Sequence, residues 1–172
     1  MLARALFLLA AGGLAGGMTL GACGYHAATP GLPGGEQALE IAPVANETAT
    51  GELDLRLRVR LRRRLLAHPA IRPPASEGEG LSLRVRLTRH ELERQQSRGG
   101  LLTRVHTLRG TMSLTRRRDD VYLRRNLPVQ VRIERVDTSP GGVETPAALD
   151  PGTDDVLDAF AAEVERQVFL NF

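Results

Sequence analysis

Residues 51–68, GELDLRLRVRLRRRLLAH, decide the fold, because their pattern fits two kinds of secondary structure. From Leu53 to Leu61, apolar and charged residues alternate, as in a strand with one buried face. Leucines also recur four residues apart through Leu65, and Leu66 extends the stripe, as in an amphipathic helix. No turn signal interrupts the stretch before Pro69, so it is longer than a typical strand of about five or six residues. We therefore predict a helix.

Strand patterns precede and follow this helix. The clearest is the run from Leu81 to Thr88, where four apolar residues alternate with polar ones. Pro43 and Pro128 favour edge positions, strand ends or bulges, because proline donates no ladder hydrogen bond. Polar connections are predicted at residues 94–100 and 116–120. The strands are predicted at residues 38–44, 81–88, 102–114 and 121–136.

A second helix is predicted at the end of the chain. Thr153 is the expected N-cap, followed by two aspartates that the helix dipole favours. Val156, Phe160 and Val164 recur four residues apart on one apolar face. The predicted order is strand, helix, three strands, helix. We expect an α+β two-layer sandwich, with a four-stranded, mainly antiparallel sheet and both helices on one face.

Composition excludes several kinds of chemistry. All 23 basic residues are arginine, so no lysine can form a Schiff base or hold a phosphate loop. A single cysteine allows neither an internal disulfide nor a multi-thiolate metal site. The four histidines lack metal-ligand spacing, and no serine lies in a nucleophile motif. We expect a protein that is not an enzyme and that has no metal or cofactor.

Charge is unevenly distributed along the chain. Residues 56–135 contain 21 arginines and 7 acidic residues, whereas both flanks of this segment are acidic. This asymmetry suggests an anionic partner for the middle of the chain. An alternative is that the arginines face solvent and pair with the acidic flanks. Nucleic acid is disfavoured, because only 3% of the residues are aromatic and few rings are present to stack on bases.

The N-terminus is typical of an export signal. Arg4 precedes an uncharged, glycine-rich apolar run that ends in Leu20-Gly21-Ala22-Cys23. This ending resembles a bacterial lipobox, and Cys23 is the one thiol of the chain. We predict a signal peptide at residues 1–22, a lipidated flexible tether at 23–35 and a single domain at 36–172. Gly24, which follows the cysteine, favours sorting of the mature lipoprotein to the outer membrane.

Two arginine clusters are candidate binding sites. Residues 62–64 lie in the predicted first helix, where consecutive side chains point in different directions. Arg116, Arg117 and Arg118 lie at a predicted hairpin tip, where their guanidiniums can converge on a phosphate or carboxylate. The alternative is a solvated turn balanced by Asp119 and Asp120.

Four segments resemble one family. The start of the mature chain, Cys23-Gly24-Tyr25-His26, is similar to that of the lipopolysaccharide-assembly lipoproteins, the LptE family. Residues 39–48, LEIAPVANET, resemble the family's strand and Asn-x-Thr loop, although Ala45 stands where an aromatic residue is frequent. The arginine- and leucine-rich helix and the ending Phe169-Leu170-Asn171-Phe172 are also similar.

The resemblance implies an outer-membrane lipoprotein that is not an enzyme. Such a protein plugs the β-barrel translocon LptD, helps it assemble, and assists delivery of lipopolysaccharide to the outer leaflet. Its partners are then LptD, lipopolysaccharide and the membrane that holds its lipid anchor, with no nucleic acid. It would lie on the periplasmic side or in the barrel lumen. The alternative function is a structural or envelope-stress lipoprotein that has no barrel partner.

Overall fold

A computed structural model describes residues 31–96, 102–137 and 150–169. The predicted signal peptide, the lipidation site Cys23 and the first part of the tether lie outside these residues. Within the last part of the predicted tether, Leu32 and Pro33 are buried, and Pro33–Gly35 form a 3-10 turn. The packed part of the chain therefore begins before the predicted domain boundary at residue 36.

The predicted order of elements is confirmed, and a short additional strand follows the first one. The segment at residues 51–68 is helical, as its four-residue leucine repeat indicates. The elements are β1 (Leu39–Ile41), β2 (Ala45–Asn46), α1 (Leu53–Leu65), β3 (Leu81–Gln96), β4 (Leu102–Arg116), β5 (Val121–Asp137) and α2 (Pro151–Phe169).

The sheet is mixed and has five strands, whereas four mainly antiparallel strands were predicted. Strands β3, β4 and β5 form an antiparallel meander, and both β1 and β2 pair with β3 in parallel. The ladder continues from β1 to the Ala42 N–H, which donates to the Leu83 carbonyl at 3.0 Å. Pro43 then offers no N–H, and pairing resumes at Ala45. The first predicted strand, at residues 38–44, therefore contains β1, whereas β2 follows it on the same edge at residues 45–46, where no strand is predicted.

The meander strands are longer than their sequence patterns suggest. The predicted break from Arg94 is wrong, because β3 continues to Gln96. A register shift between Leu87 and Arg89 interrupts the alternation. Beyond this bulge the even-numbered residues His90 and Leu92 pair with buried residues of β4, so the inward-facing set changes parity. A pattern read with one fixed period misses the second half of the strand.

Both helices lie on one face of the sheet, as predicted, and contact each other. Each contributes an apolar stripe that is buried. The fully buried stripe residues are Leu53, Leu57, Leu61 and Leu65 of α1 and Val156, Phe160, Val164 and Val168 of α2. No helix in the described part of the chain is long and apolar enough to cross a membrane.

Ion pairs connect the two helices along their shared side. Arginines of α1 face carboxylates of α2 over about three turns. The pairs are Arg56 and Arg60 with Asp154, Arg60 with Asp158, and Arg64 with Glu165, whose Oε1 also lies 2.8 Å from the His68 Nε2 just after the helix. On this side of α1 the arginines therefore pair with the acidic C-terminal flank, which is the alternative to binding an anionic partner.

The start of α2 differs from the prediction, because Thr153 is not its cap. The helix begins at Pro151, a residue suited to the first helical position. Asp150 precedes it, and the Asp150 Oδ1 accepts the Gly152 N–H at 2.9 Å. Thr153 lies in the first turn, fully buried, and its N–H donates to the Asp150 carbonyl at 2.9 Å. Asp150 is therefore the capping residue.

Candidate functional site

The face of the sheet that the helices leave open carries polar residues from the first half of β3 and the second half of β4. On β3 the alternation that buries Leu83, Val85 and Leu87 directs Arg84 and Arg86 to this face. Their partners on the central strand β4 are small hydroxyl residues: Ser113 pairs with Arg84, and Thr111 pairs with Arg86. Short side chains between longer ones leave a groove.

This open-face groove consists of two adjoining cavities that share Arg84. The larger cavity has a volume of about 450 Å³. It lies between the edge strand β2 and the side chains of Tyr122 and Asn126 of β5. The smaller, about 220 Å³, lies toward the hairpin tip. The larger cavity is lined mainly by Pro43, Ala45, Arg84, Arg86, Thr111, Ser113, Tyr122 and Asn126. The smaller is lined by Glu40, Ser82, Arg84, Thr115, Arg117 and Asp120.

Arg84 and Arg86 differ in their partners. Because they are two residues apart on one strand, they project in the same direction from Cα positions about 6.6 Å apart. The Arg86 Nη1 lies 3.1 Å from the Glu47 Oε1, and both side chains are more than half exposed. Within the described residues, no carboxylate pairs with Arg84. The groove thus holds one guanidinium that lacks a carboxylate partner and one in a weak surface pair.

A distorted part of β5 forms the far side of the groove. Asn126 has a φ of 49°, and its N–H donates to the Ser113 Oγ at 3.0 Å. Nearby register shifts place Tyr122 opposite Thr115, with 45% of its surface exposed. The Arg125 guanidinium lies 5.3 Å from the centre of the Tyr122 ring. Hydroxyls, a partly exposed ring and guanidiniums together suit a phosphorylated sugar.

The predicted clamp at the hairpin tip is not a single cluster. Arg116 ends β4, with its Nε 3.8 Å from the Glu36 carboxylate and its Nη1 3.3 Å from Asp119. Arg117 lines the smaller cavity, and its Nε lies 3.2 Å from the Glu40 Oε2.

Arg118 is the most exposed of the three, with its Nε 4.0 Å from the Asp119 carboxylate. Arg117 also anchors the turn, because its N–H donates to the Gly80 carbonyl at 3.0 Å. Of the three predicted residues, Arg117 is the one that lines the groove.

Sequence reasoning missed Arg84 and Arg86 as site residues. The available signal was their position on the polar face of the clearest strand, but their neighbours on that face come from β4 and β5. Cross-strand register decides those neighbours, and Arg84 pairs with Ser113, which lies 29 positions later in the chain. Such pairing is not apparent from one strand alone.

A second polar group lies under α2, on the covered face. Arg104 of β4 forms a buried ion pair with the Asp150 Oδ2. The His106 Nε2 lies 3.4 Å from the Asp150 Oδ1, and the ring is fully buried. His90 stacks on His106 with ring centroids 5.8 Å apart, and its Nδ1 lies 3.0 Å from the Thr50 Oγ1.

The protonation of this group follows from burial and charge. Burial lowers the pKa of His106 below its ordinary value, and the Asp150 carboxylate opposes that shift only in part. Burial also lowers the pKa of His90, and His106 adds to the effect. For Asp150 burial acts to raise the pKa, but hydrogen bonds from Arg104 and the Gly152 N–H outweigh it and leave the pKa lowered. At neutral pH the group therefore holds neutral imidazoles beside an ion pair.

The position of this group indicates a structural role. It joins β4, through Arg104 and His106, to the first turn of α2. Gly152 has no room for a side chain, since an added Cβ would lie 2.4 Å from the His106 Nε2. Within the described ranges, no three histidine, cysteine or acidic side chains are placed to hold a metal ion.

No protein-family model matches the sequence, and no curated protein matches it. Several solved structures have a similar arrangement. An uncharacterized lipoprotein B from Nitrosomonas europaea has a TM-score of 0.43 and 15% identity, over 78% of this chain and 84% of its own. A lipoprotein from Neisseria meningitidis has a TM-score of 0.42 and 13% identity, over 77% and 97%. Rare lipoprotein B from Shewanella oneidensis has a TM-score of 0.41 and 13% identity, over 74% and 92%.

All three of these structures are bacterial lipoproteins. With TM-scores below 0.5 and identities of at most 15%, the likeness is a general one. It identifies no function for this chain.

Proposed function

We propose that the protein is a lipoprotein anchored through Cys23 in the outer membrane, where it plugs the β-barrel translocon LptD and assists delivery of lipopolysaccharide. The observation that carries the proposal is the open-face groove, which presents Arg84, Arg86 and Arg117 beside hydroxyls and the Tyr122 ring. The resemblance of the mature N-terminus and of residues 39–48 to the LptE family names the substrate class.

The chemistry of the groove matches the headgroup of lipopolysaccharide, which bears phosphates and carboxylates on sugars. Guanidiniums bind such oxyanions with charge-assisted hydrogen bonds, and a partly exposed tyrosine packs against a sugar ring. A ligand that binds Arg84 displaces no carboxylate of the described residues. For Arg86 the ligand competes with Glu47, whose exposed pair contributes little.

The shape of the sheet supports a plug. One face is closed by two helices and holds the apolar core, so the other face and the hairpin are available to a partner. That surface displays alternating charges and hydroxyls, which suits the polar lumen of a wide barrel.

Copurification tests the barrel part of the proposal. The full-length protein, expressed in its host and extracted from membranes with detergent, should elute with a barrel of several hundred residues in constant ratio. A lipoprotein that elutes alone, lipidated at Cys23, would contradict the plug and favour the barrel-independent alternative. An Arg84→Ser/Arg86→Ser variant that still copurifies but binds lipopolysaccharide weakly would separate assembly from ligand binding.

A further inference from the structure

Helix α1 has a second apolar stripe on its solvent side. Leu55 is 63% exposed and Val59 is 65% exposed, more than any other large apolar side chain in the described part of the chain. At 100° per residue, Val59 lies on the side of the helix opposite the buried stripe, with Leu55 one turn before it. Leu66, which follows the helix, is partly buried and packs against the core instead. A globular helix with one core-facing side would place polar residues on the opposite side.

Arginines flank this outer stripe. Arg58 and Arg62 lie along one flank, and no carboxylate within the described ranges pairs with either of them. Arg63 lies on the other flank, with its side chain 73% exposed and its Nη2 3.7 Å from the Asp158 Oδ1. By contrast, Arg60, on the side toward α2, is 16% exposed and bound to two carboxylates. The helix therefore has an inner arginine row that is neutralised and an outer arginine row that largely is not.

We propose that this outer face of α1, formed by Leu55, Val59, Arg58, Arg62 and Arg63, docks on the surface of an anionic lipid bilayer. An apolar stripe between arginines is the pattern of an interfacial helix, whose apolar side chains enter the headgroup boundary while guanidiniums reach phosphate groups. The aliphatic stems of the arginines lengthen the apolar strip. A second copy of this chain is a poor occupant, because two such faces would oppose arginine with arginine.

The segment between the predicted lipid anchor and the described residues is short. The described residues begin at Gly31, eight residues after Cys23, and eight residues span at most about 29 Å. Gln37 lies beside the segment that follows α1, because its carbonyl accepts a hydrogen bond from the Arg72 N–H at 2.9 Å. A lipid on Cys23 would hold the domain near the membrane, where a weak second contact through α1 fixes the orientation.

The docking of α1 rests on the proposed function only for the lipid anchor at Cys23. The helices cover the sheet face opposite the groove. Docking through α1 therefore leaves the groove accessible to a glycolipid or barrel.

A tryptophan reporter tests the docking face. The chain has no tryptophan, so Val59→Trp supplies a single probe on the outer stripe. Val136→Trp is the matched control, at an exposed apolar position of β5 on the open face. The protein is residues 24–172 without lipid, which contain the whole described core. The probe is a vesicle of phosphatidylcholine with phosphatidylglycerol, free of lipopolysaccharide.

The Val59→Trp emission should shift to shorter wavelength with these vesicles and not with pure phosphatidylcholine. The Val136→Trp emission should stay unchanged with both. An unchanged Val59→Trp spectrum, or equal shifts at the two positions, would overturn the proposal. Because the sample contains neither barrel nor glycolipid, this outcome is independent of the copurification test.

Charge variants test the arginine rows by vesicle sedimentation. Arg62→Gln with Arg63→Gln should lower partitioning onto anionic vesicles about 30-fold, since each arginine near such a surface contributes a factor of about five. Arg109→Gln with Arg132→Gln removes the same charge from the open face and should change partitioning by less than twofold. Circular dichroism of each variant checks that the fold is retained. Equal losses in the two pairs would show unspecific attraction by net charge and refute a docking face.

Discussion

Arg104 and Asp150 form an ion pair that is almost completely buried, with 10% and 1% of their side chains exposed. The same carboxylate accepts the Gly152 N–H and so caps α2. One aspartate therefore connects the helix start to the central strand of the sheet. A buried charge with two partners is costly to leave unpaired, which makes this contact a sensitive point of the fold.

Replacing Asp150 with alanine should strongly destabilise the domain. The change removes the cap and leaves the Arg104 guanidinium buried without its carboxylate, at a cost of about 3–5 kcal/mol. Asp155→Ala is the control, because Asp155 pairs with Arg135 at 2.7 Å while half of each side chain is exposed. We expect less than about 1 kcal/mol for that variant. Urea unfolding measures both, and equal effects would contradict a capping role for Asp150.

The buried histidines should make stability depend on pH. In the folded protein the pKa of His106 and that of His90 are lowered, mainly by burial, so the unfolded chain binds protons first as the pH falls. The free energy of unfolding should therefore decrease from about pH 7 downward, by at most about 1.4 kcal/mol per pH unit for each histidine. Arg56 lowers the pKa of Asp154, so that carboxylate affects stability only in a more acidic window.

The control for this pH dependence is a variant that changes no titratable group. Val136→Ala truncates a half-exposed apolar side chain and should leave the slope unchanged between pH 7 and pH 5. His106→Gln should reduce the slope. Denaturant unfolding at several pH values gives both slopes, and an unchanged slope in His106→Gln would show that another group titrates.

Phe160 should be the most costly apolar residue of α2 to truncate. It is fully buried and lies over Gly110 of β4, where an added Cβ would be 3.1 Å from its ring. Phe160→Ala should cost about 3–5 kcal/mol. Val136→Ala, at a half-exposed position, should stay within about 0.5 kcal/mol. A thermal transition of Phe160→Ala close to that of the parent protein would mean that α2 does not pack on the sheet this way.

The groove variants should weaken binding of lipopolysaccharide. Arg84→Ser with Arg86→Ser removes two guanidiniums, each able to contribute about 1.5–3 kcal/mol to a charged hydrogen bond. Affinity should fall tenfold or more, and its salt dependence should become weaker. The matched control is Arg109→Ser with Arg132→Ser. If purified lipopolysaccharide binds the groove variant and the control equally at two ionic strengths, the ligand lies elsewhere.

The hairpin cluster has its own variant, in which serine replaces Arg116, Arg117 and Arg118. We predict a tenfold or greater loss of affinity for lipopolysaccharide in this triple variant, and we expect Arg117 to make the contact because it lines the groove. Arg117→Ser alone should then reproduce the loss. A full effect of the triple variant without an effect of Arg117→Ser would move the contact to Arg118.

The lipid anchor is tested by mass spectrometry of the mature N-terminus. Cys23 should carry two or three acyl chains, and Cys23→Ala should accumulate as an unlipidated precursor. An unmodified, uncleaved N-terminus in native membranes would refute the lipoprotein assignment.

Helix α1 shows how far local patterns predict this fold. Its segment satisfies both a two-residue and a four-residue repeat, and length together with the leucine stripe favoured the helix that the structure contains. The same reasoning failed at β3, because a bulge after Leu87 changes the parity of the buried side chains. It also failed at α2, where the buried carboxylate of Asp150 caps the helix.

The sequence by itself determined the order of the elements and the buried faces of both helices and of the first half of β3, because apolar periodicity is local. The tertiary structure decided which polar residues meet. Strand register brings Arg84 beside Ser113, and chain folding brings Asp150 to Arg104, 46 residues away. It also separated the three tip arginines among Glu36, Glu40 and Asp119. Contacts between distant residues depend on register and helix position, which a repeat of two or 3.6 residues does not encode.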